Sequence, residues 1–294
     1  MPKLLIATDG SLNSRLAEEF AAALPFPEKS DARLVAVTPL PVTLSEFYVE
    51  DVLFQQAHQL QNTVVAPRTT EEAEKLKPAF ANVVTDLRIG DPGHEILASA
   101  QEHGADLIVI GARGLSAIPR FLLGSVSDWI CRNARQSLLV VRPHAHEDVA
   151  TAHGTIPKRV IFAVDGSETA RRAAEQLAGW KWPKDTVARA VLAFQKIRLF
   201  QPEPAFLDAE RQHADEVLAQ TREILSRGFA HVETAVLDAD QIANSIVSDA
   251  ERWKADLLVI GSHGKGRRER FVLGSTSLAI LHHAPCSIWV EKKA

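Results

Sequence analysis

Two short glycine-centred signatures each occur twice in the chain. The first is an apolar run closed by Asp-Gly-Ser, at Asp9, Gly10 and Ser11 and again at Asp165, Gly166 and Ser167. The second is an apolar run followed by Gly-x-x-Gly, nine intervening residues and Gly-Ser. Gly111 and Gly114 thus lead to Gly124 and Ser125, and Gly261 and Gly264 lead to Gly274 and Ser275. A carboxylate held at a strand end can accept hydrogen bonds from a ribose or a base amino group. Glycines let backbone approach a ligand without Cβ interference. A Gly-Ser pair opening a helix offers unpaired N–H groups and the positive end of the helix dipole, which favour an anion. The first such turn runs through Ser125, Val126 and Ser127, the second through Ser275, Thr276 and Ser277. Sugar and base near the aspartate, with phosphates against the Gly/Ser turn, describe a nucleotide. A lone Asp-Gly-Ser would more simply be a helix cap and turn. Its recurrence in register with the second signature favours a ligand site. The intervening loop is more basic in the second copy, with Lys265, Arg267, Arg268 and Arg270 against Glu269, than in the first, with Arg113 and Arg120. That run reads as a solvated face rather than a phosphate clamp.

The elements that must carry these residues repeat as well. The Asp-Gly-Ser marks are offset by 156 residues and the Gly-x-x-Gly marks by 150, which is the length of a domain rather than of a solenoid unit. Apolar runs at 4–8, 33–38, 83–89, 107–110 and 138–141 read as strands, answered by 160–164, 187–192, 232–237, 257–260 and 288–290. Between them, 11–24, 96–103 and 126–134 read as helical. The stretch 205–227 is a long helix with Gly228 placed as its C-terminal cap. The stretch 40–67, with its prolines and aromatics, is compatible with loop or helix. Alternating strands and helices predict α/β architecture with parallel strands covered on both faces. Two tandem five-stranded parallel sheets of order 3-2-1-4-5 are expected. That order sets strands one and four side by side where the winding reverses, the place at which such sheets bind ligands. Boundaries are expected at 1–143, 144–156 and 157–294, the middle segment being a polar linker. In it His144, His146 and His153 read as part of a flexible connection rather than a metal tract.

Composition narrows the classes. The 294 residues carry 33 Lys+Arg against 37 Asp+Glu, a balance that argues against a nucleic-acid-coating protein. No stretch approaches the length of a membrane helix, and the only two cysteines, Cys131 and Cys286, stand in no metal-like spacing. A cytoplasmic location with no membrane partner is the expectation. There is no GxxxxGK[ST] phosphate loop, GxSxG elbow or HExxH pair, and the Gly264-Lys265-Gly266 start of a dinucleotide fingerprint ends at Glu269. Neither an SGGxDS loop nor an HIGH motif supports an adenylating enzyme. A binding protein is therefore expected, with at most slow hydrolysis.

The pattern G-x2-G-x9-G-[ST] with an aspartate ending the first strand resembles the universal stress protein family in its tandem form. The resemblance implies an adenine nucleotide alpha hydrolase-like fold binding ATP, or AMP or ADP, with magnesium, as a stress-response sensor. By resemblance Asp9 and Asp165 contact adenine or ribose, and Val37 offers backbone to the base. Phosphates would lie on Gly111, Gly114, Gly124, Ser125 and Ser127, and on Gly261, Gly264, Gly274, Ser275 and Ser277. The family's Gly-Asp-Pro turn is present as Gly90-Asp91-Pro92 but replaced by Asp240-Gln241-Ile242 in copy two, so the first site is the stronger expectation. Family members pair through the last strand, which predicts an intrachain pseudo-dimer of the two halves. A homodimer and an unidentified protein partner are further expectations. The alternative is an interaction protein that keeps the fold and binds no nucleotide.

Overall fold

A computed structural model of the chain describes residues 2–27, 30–40, 50–114, 123–144, 148–195, 204–264 and 273–292. The first half runs β1 (Lys3–Thr8), α1 (Leu12–Ala23), β2 (Asp31–Pro39) and α2 (Glu50–Leu60). A π-helical turn (Gln61–Val65) then leads into α3 (Ala66–Leu76), followed by β3 (Asn82–Gly90), α4 (Pro92–His103), β4 (Leu107–Gly111), α5 (Ser125–Asn133) and β5 (Ser137–Val141). The second half repeats the alternation with β6 (Arg159–Ala163), α6 (Glu168–Ala178), β7 (Val187–Gln195), α7 (Pro204–Leu225) and β8 (His231–Ala239). It ends in α8 (Ile242–Arg252), β9 (Leu257–Gly261), α9 (Ser275–His283) and β10 (Ser287–Glu291). The stretch left open between loop and helix is helical from Glu50 onward, while 41–49 lies outside the described residues.

The two expected five-stranded sheets are present and are joined edge to edge. The strands form one ten-stranded sheet of order β3-β2-β1-β4-β5-β10-β9-β6-β7-β8. Within each half the order is the expected 3-2-1-4-5 and every pairing is parallel. At the seam β10 runs antiparallel to β5, with Ile288 opposite Val140 and Val290 opposite Leu138. The last strand of a half standing alone would expose unpaired backbone groups, and joining the two edges removes that liability. The anticipated pairing of the last strands is thus present, and it fuses the sheets. One apolar layer on each face, with Leu4, Phe162 and Trp289 in one and Ile108, Val191 and Ile288 in the other, runs across both halves.

Side chains lock the seam reciprocally. Arg142 crosses to donate to the carbonyls of Leu281 (2.6 Å) and Ala284 (3.0 Å) at the end of α9. Lys292 crosses the other way, to the carbonyls of Ala134 (2.6 Å) and Cys131 (2.9 Å) at the end of α5. Each cation meets the negative end of the opposite half's helix and satisfies its orphan carbonyls. Burial pushes Arg142 down to about 10 and Lys292 down to about 8.

Two local expectations change. Gly228 does not adopt the left-handed cap conformation; a Cβ there would strike the backbone of Ala178 on α6, so close helix packing requires the glycine. In the segment between the halves, the described residues 152–154 are seated on α1. Ala152 is buried, Gly154 N–H donates to Glu19 on α1 at 3.0 Å, and His153 stands 3.6 Å from the same carboxylate. His144 lies 3.4 Å from Asp256, while His146 falls outside the described residues.

Candidate functional site

Each half opens a cleft beyond the carboxyl ends of its first and fourth strands. β1 pairs with β2 on one side and β4 on the other, so the turns after β1 and β4 face each other. Asp9 folds back so that its Oδ1 accepts the Ser11 N–H at 2.9 Å, which fixes the carboxyl over the turn. Gly10 permits that turn with φ +76°, and Ser11 caps α1 by accepting the Ser14 N–H at 3.2 Å. The second half repeats this arrangement. Ser167 N–H donates to Asp165 Oδ1 at 2.9 Å, Gly166 has φ +77°, and the Ser167 hydroxyl caps α6 at Ala170.

The glycine turns converge on these carboxylates. A Cβ built on Gly114 would lie 2.5 Å from Asp9 Oδ2, and one on Gly264 would lie 2.8 Å from Asp165 Oδ2. Neither position tolerates a side chain without displacing its aspartate. Gly111 and Gly261 also make room for a helix: their Cβ atoms would strike the Asn13 carbonyl at 2.8 Å and the Thr169 hydroxyl at 2.6 Å.

Ser125 and Ser275 occupy the first positions of α5 and α9, are exposed, and leave unpaired N–H groups at the cleft. Val126 is half-buried and Thr276 exposed beside them. The Ser127 and Ser277 hydroxyls each donate at 2.8 Å to the carbonyl of the strand-ending glycine, Gly111 or Gly261, while their backbone N–H groups belong to the first helical turn. These hydroxyls brace the turn. Gly124 and Gly274 tie it down further through N–H bonds to Ala112 (2.8 Å) and Ser262 (2.9 Å).

The first cleft encloses about 500 Å³ and the second about 390 Å³. Asp9, Val37, Gly111, Arg113, Gly114, Gly124, Ser125, Val126 and Ser127 line the first. Asp165, Gly261, Gly264, Gly274, Ser275, Thr276 and Ser277 line the second. Gly10 and Gly166 shape the turns beneath without lining either cleft. The pairing of β1 with β2 ends at Thr8 opposite Ala36 while β2 continues to Pro39, which leaves Val37 at the cleft past the end of β1. Pro92, the first residue of α4, walls the first cleft, and Asp91 caps that helix through the His94 N–H at 2.9 Å. In the second, Ile242 takes the wall and Gln241 caps α8 without a side-chain bond. The basic run from Lys265 to Arg270, and Arg120, lie outside the described residues.

Sequence reasoning missed several wall residues. Leu60, Val64, Val65 and Arg68, from the end of α2, the π-helical turn and α3, cover the first cleft, and Ala193 stands in the second at the place of Val37. The ambiguous periodicity around 40–67 hid the former group. A carried-over offset of 156 would have found Ala193. Among the described residues no group of three or more His, Cys, Asp or Glu side chains could hold a metal ion. Among the described residues no helix is long and apolar enough to cross a membrane.

Each half is a parallel sheet of this order with an aspartate and a helix N-terminus meeting at its reversal, an α/β architecture that occurs twice in one chain. Its sequence matches the profile of the Universal stress protein family over residues 1–142 and again over 157–292, and the chain belongs to that family. A universal stress protein of Mycobacterium tuberculosis is 28% identical over 191 residues, 65% of this chain and 63% of that relative, so the match leaves a good part of that relative uncovered. A Bacillus subtilis universal stress protein is 29% identical over 154 residues, 48% of this chain and 98% of its own length. The crystal structure of a universal stress protein from Archaeoglobus fulgidus superposes with TM-score 0.67 at 21% identity, covering 99% of this chain and 98% of that one. At that identity the likeness establishes the fold, here the adenine nucleotide alpha hydrolase-like one.

Proposed function

We propose that the protein binds an adenine nucleotide, ATP in the first instance, in the cleft of its first half and acts as a stress-response switch rather than as a fast enzyme. The observation that carries this reading is the approach of Gly114 to Asp9. A carboxylate suited to ribose or adenine and a helix start suited to phosphate share one cavity of about 500 Å³, a volume ordinary for a small-molecule site. The remaining walls, Val37, Pro92, Ile96 and Ile110 among them, are apolar and suit a flat base. Magnesium would enter with the phosphates, since it keeps most of its waters and needs only one or two protein oxygens.

Nucleotide bound against the glycine turns would alter the surface a partner reads. The second cleft offers the same frame with Ile242 in place of Pro92 and is the weaker site. The cytoplasm is the proposed compartment, consistent with two buried free thiols. Calorimetric titration of the full chain with ATP and AMP tests the reading. Asp9→Ala combined with Gly114→Val should abolish the tighter binding event. An unchanged isotherm in that variant would remove the site assignment, and no heat with either nucleotide would favour the interaction protein without ligand.

A further inference from the structure

The first cleft has a polar annex that the second lacks. On the α1/α3 side of the sheet the Thr8 hydroxyl lies 3.2 Å from Glu72 and 3.3 Å from the Ser14 hydroxyl. Glu18, on the next turn of α1, is 6% exposed, and its Oε1 finds no hydrogen-bond partner among the described residues. Arg68 links this group to the cleft. It lines the cavity, its guanidinium packs against Gly10 in the turn that carries Asp9, and its Nε stands 3.7 Å from Glu72 without a hydrogen bond. In the second half the positions of Thr8, Ser14 and Glu18 are Val164, Ala170 and Ala174, all buried and apolar. Counting back from Phe80 and Phe229, Arg68 and Glu72 become Val217 and Thr221. Among the described residues, the five positions that form this cluster behind the first cleft carry no ionisable side chain in the second half.

We propose that Arg68 is a phosphate-binding residue peculiar to the first cleft, drawn off Glu72 by a bound nucleotide, and that the Glu18–Glu72 pair takes up a proton as it leaves. The proposal rests on the nucleotide reading above. A guanidinium with a loose, poorly aligned carboxylate partner has unspent donors, and a phosphate offers them a bidentate match. Its departure takes from Glu72 its nearest cation and leaves Glu18 with Arg15 alone beside it. Burial and the Glu72 charge already push Glu18 up to about 7, and burial raises Glu72 as well. Besides Arg68, Arg15 on α1 faces both carboxyls and Lys75 on α3 faces Glu72, while Asp9 and Arg113 line the cleft that Arg68 reaches. Arg15 is committed to the Gly10 carbonyl at 3.2 Å and Lys75 to Glu71 at 2.7 Å, so Arg68 is the cation most readily released.

The test uses the full chain carrying Gly264→Val, which closes the second cleft. It is titrated with ATP and with adenosine at pH 7 in two buffers of different ionisation heat. ATP should bind with an uptake of up to about half a proton beyond that seen when Glu18→Gln is added, because the nucleotide's own phosphate titration cancels in that difference. Adenosine should show no such difference. Arg68→Gln should weaken ATP about tenfold or more and erase the Glu18-dependent uptake, and Arg68→Lys should restore part of the affinity. Equal ATP affinity in Arg68→Gln, or equal proton uptake with and without Glu18, overturns the proposal while leaving the nucleotide site standing. If neither ATP nor adenosine binds the Gly264→Val chain, the nucleotide reading falls and takes this inference with it.

Discussion

Replacing Glu18 by glutamine should stabilise the protein, and by an amount that depends on pH. The side chain is buried on α1 beside a second carboxyl, and its pKa is pushed up to about 7 from 4.5. That displacement corresponds to about 3 kcal/mol between the two protonation states. The folded chain holds the proton more tightly than the unfolded chain does. Its contribution is therefore complete below pH 4.5, declines as pH rises, and is gone once pH passes about 7. Glutamine keeps the shape and remains neutral throughout. Stability of Glu18→Gln relative to the parent should thus be near zero difference at pH 4.5, grow through pH 6, and level off at about 3 kcal/mol above pH 7. Urea unfolding followed by circular dichroism at pH 4.5, 6, 7 and 8 measures it, with unchanged m-values as the check that the unfolded state is the same. A pH-independent difference would show that Glu18 keeps its ordinary pKa, and a variant less stable than the parent at pH 8 would show that it is stabilised as an anion; either would refute the reasoning.

Arg142→Ala should cost about 3 kcal/mol, because it leaves the carbonyls of Leu281 and Ala284 buried without their donor. Both halves should unfold at the lowered midpoint, since the lost bonds cross the seam; tryptophan fluorescence and far-ultraviolet circular dichroism report it. Burial pushes the thiols of Cys131 and Cys286 up to about 12, so neither should react with a thiol reagent at pH 8 in the native state, and both should react in guanidinium.

Much of the fold could be read from the residues because buried parallel strands such as Leu107–Gly111 are apolar without interruption and recur at matching intervals. The Asp-Gly-Ser and Gly-x-x-Gly signatures marked the strand ends correctly. What each glycine and serine does there was less legible. Gly111 and Gly114 are equivalent letters in a motif, yet one yields to α1 and the other to Asp9. Ser125 and Ser127 differ in whether the hydroxyl proton is free, which only the nearby Gly111 carbonyl decides. Glu18 gave no sign of its burial, because helical spacing from Leu16 and Phe20 turns it away from their face. It is α3, packed on α1, that covers it. The joining of the last strands was anticipated, but not the side chains that lock it: Arg142 and Lys292 look from sequence like ordinary charged residues after a strand.

The central claim is that the first cleft takes a nucleotide, and equilibrium dialysis with labelled ATP tests it most directly. The chain carrying Gly264→Val should bind one ATP, and adding Gly114→Val, whose side chain must displace Asp9, should bring the stoichiometry to zero. One ATP still bound in the double variant, or none in the single one, would contradict the account.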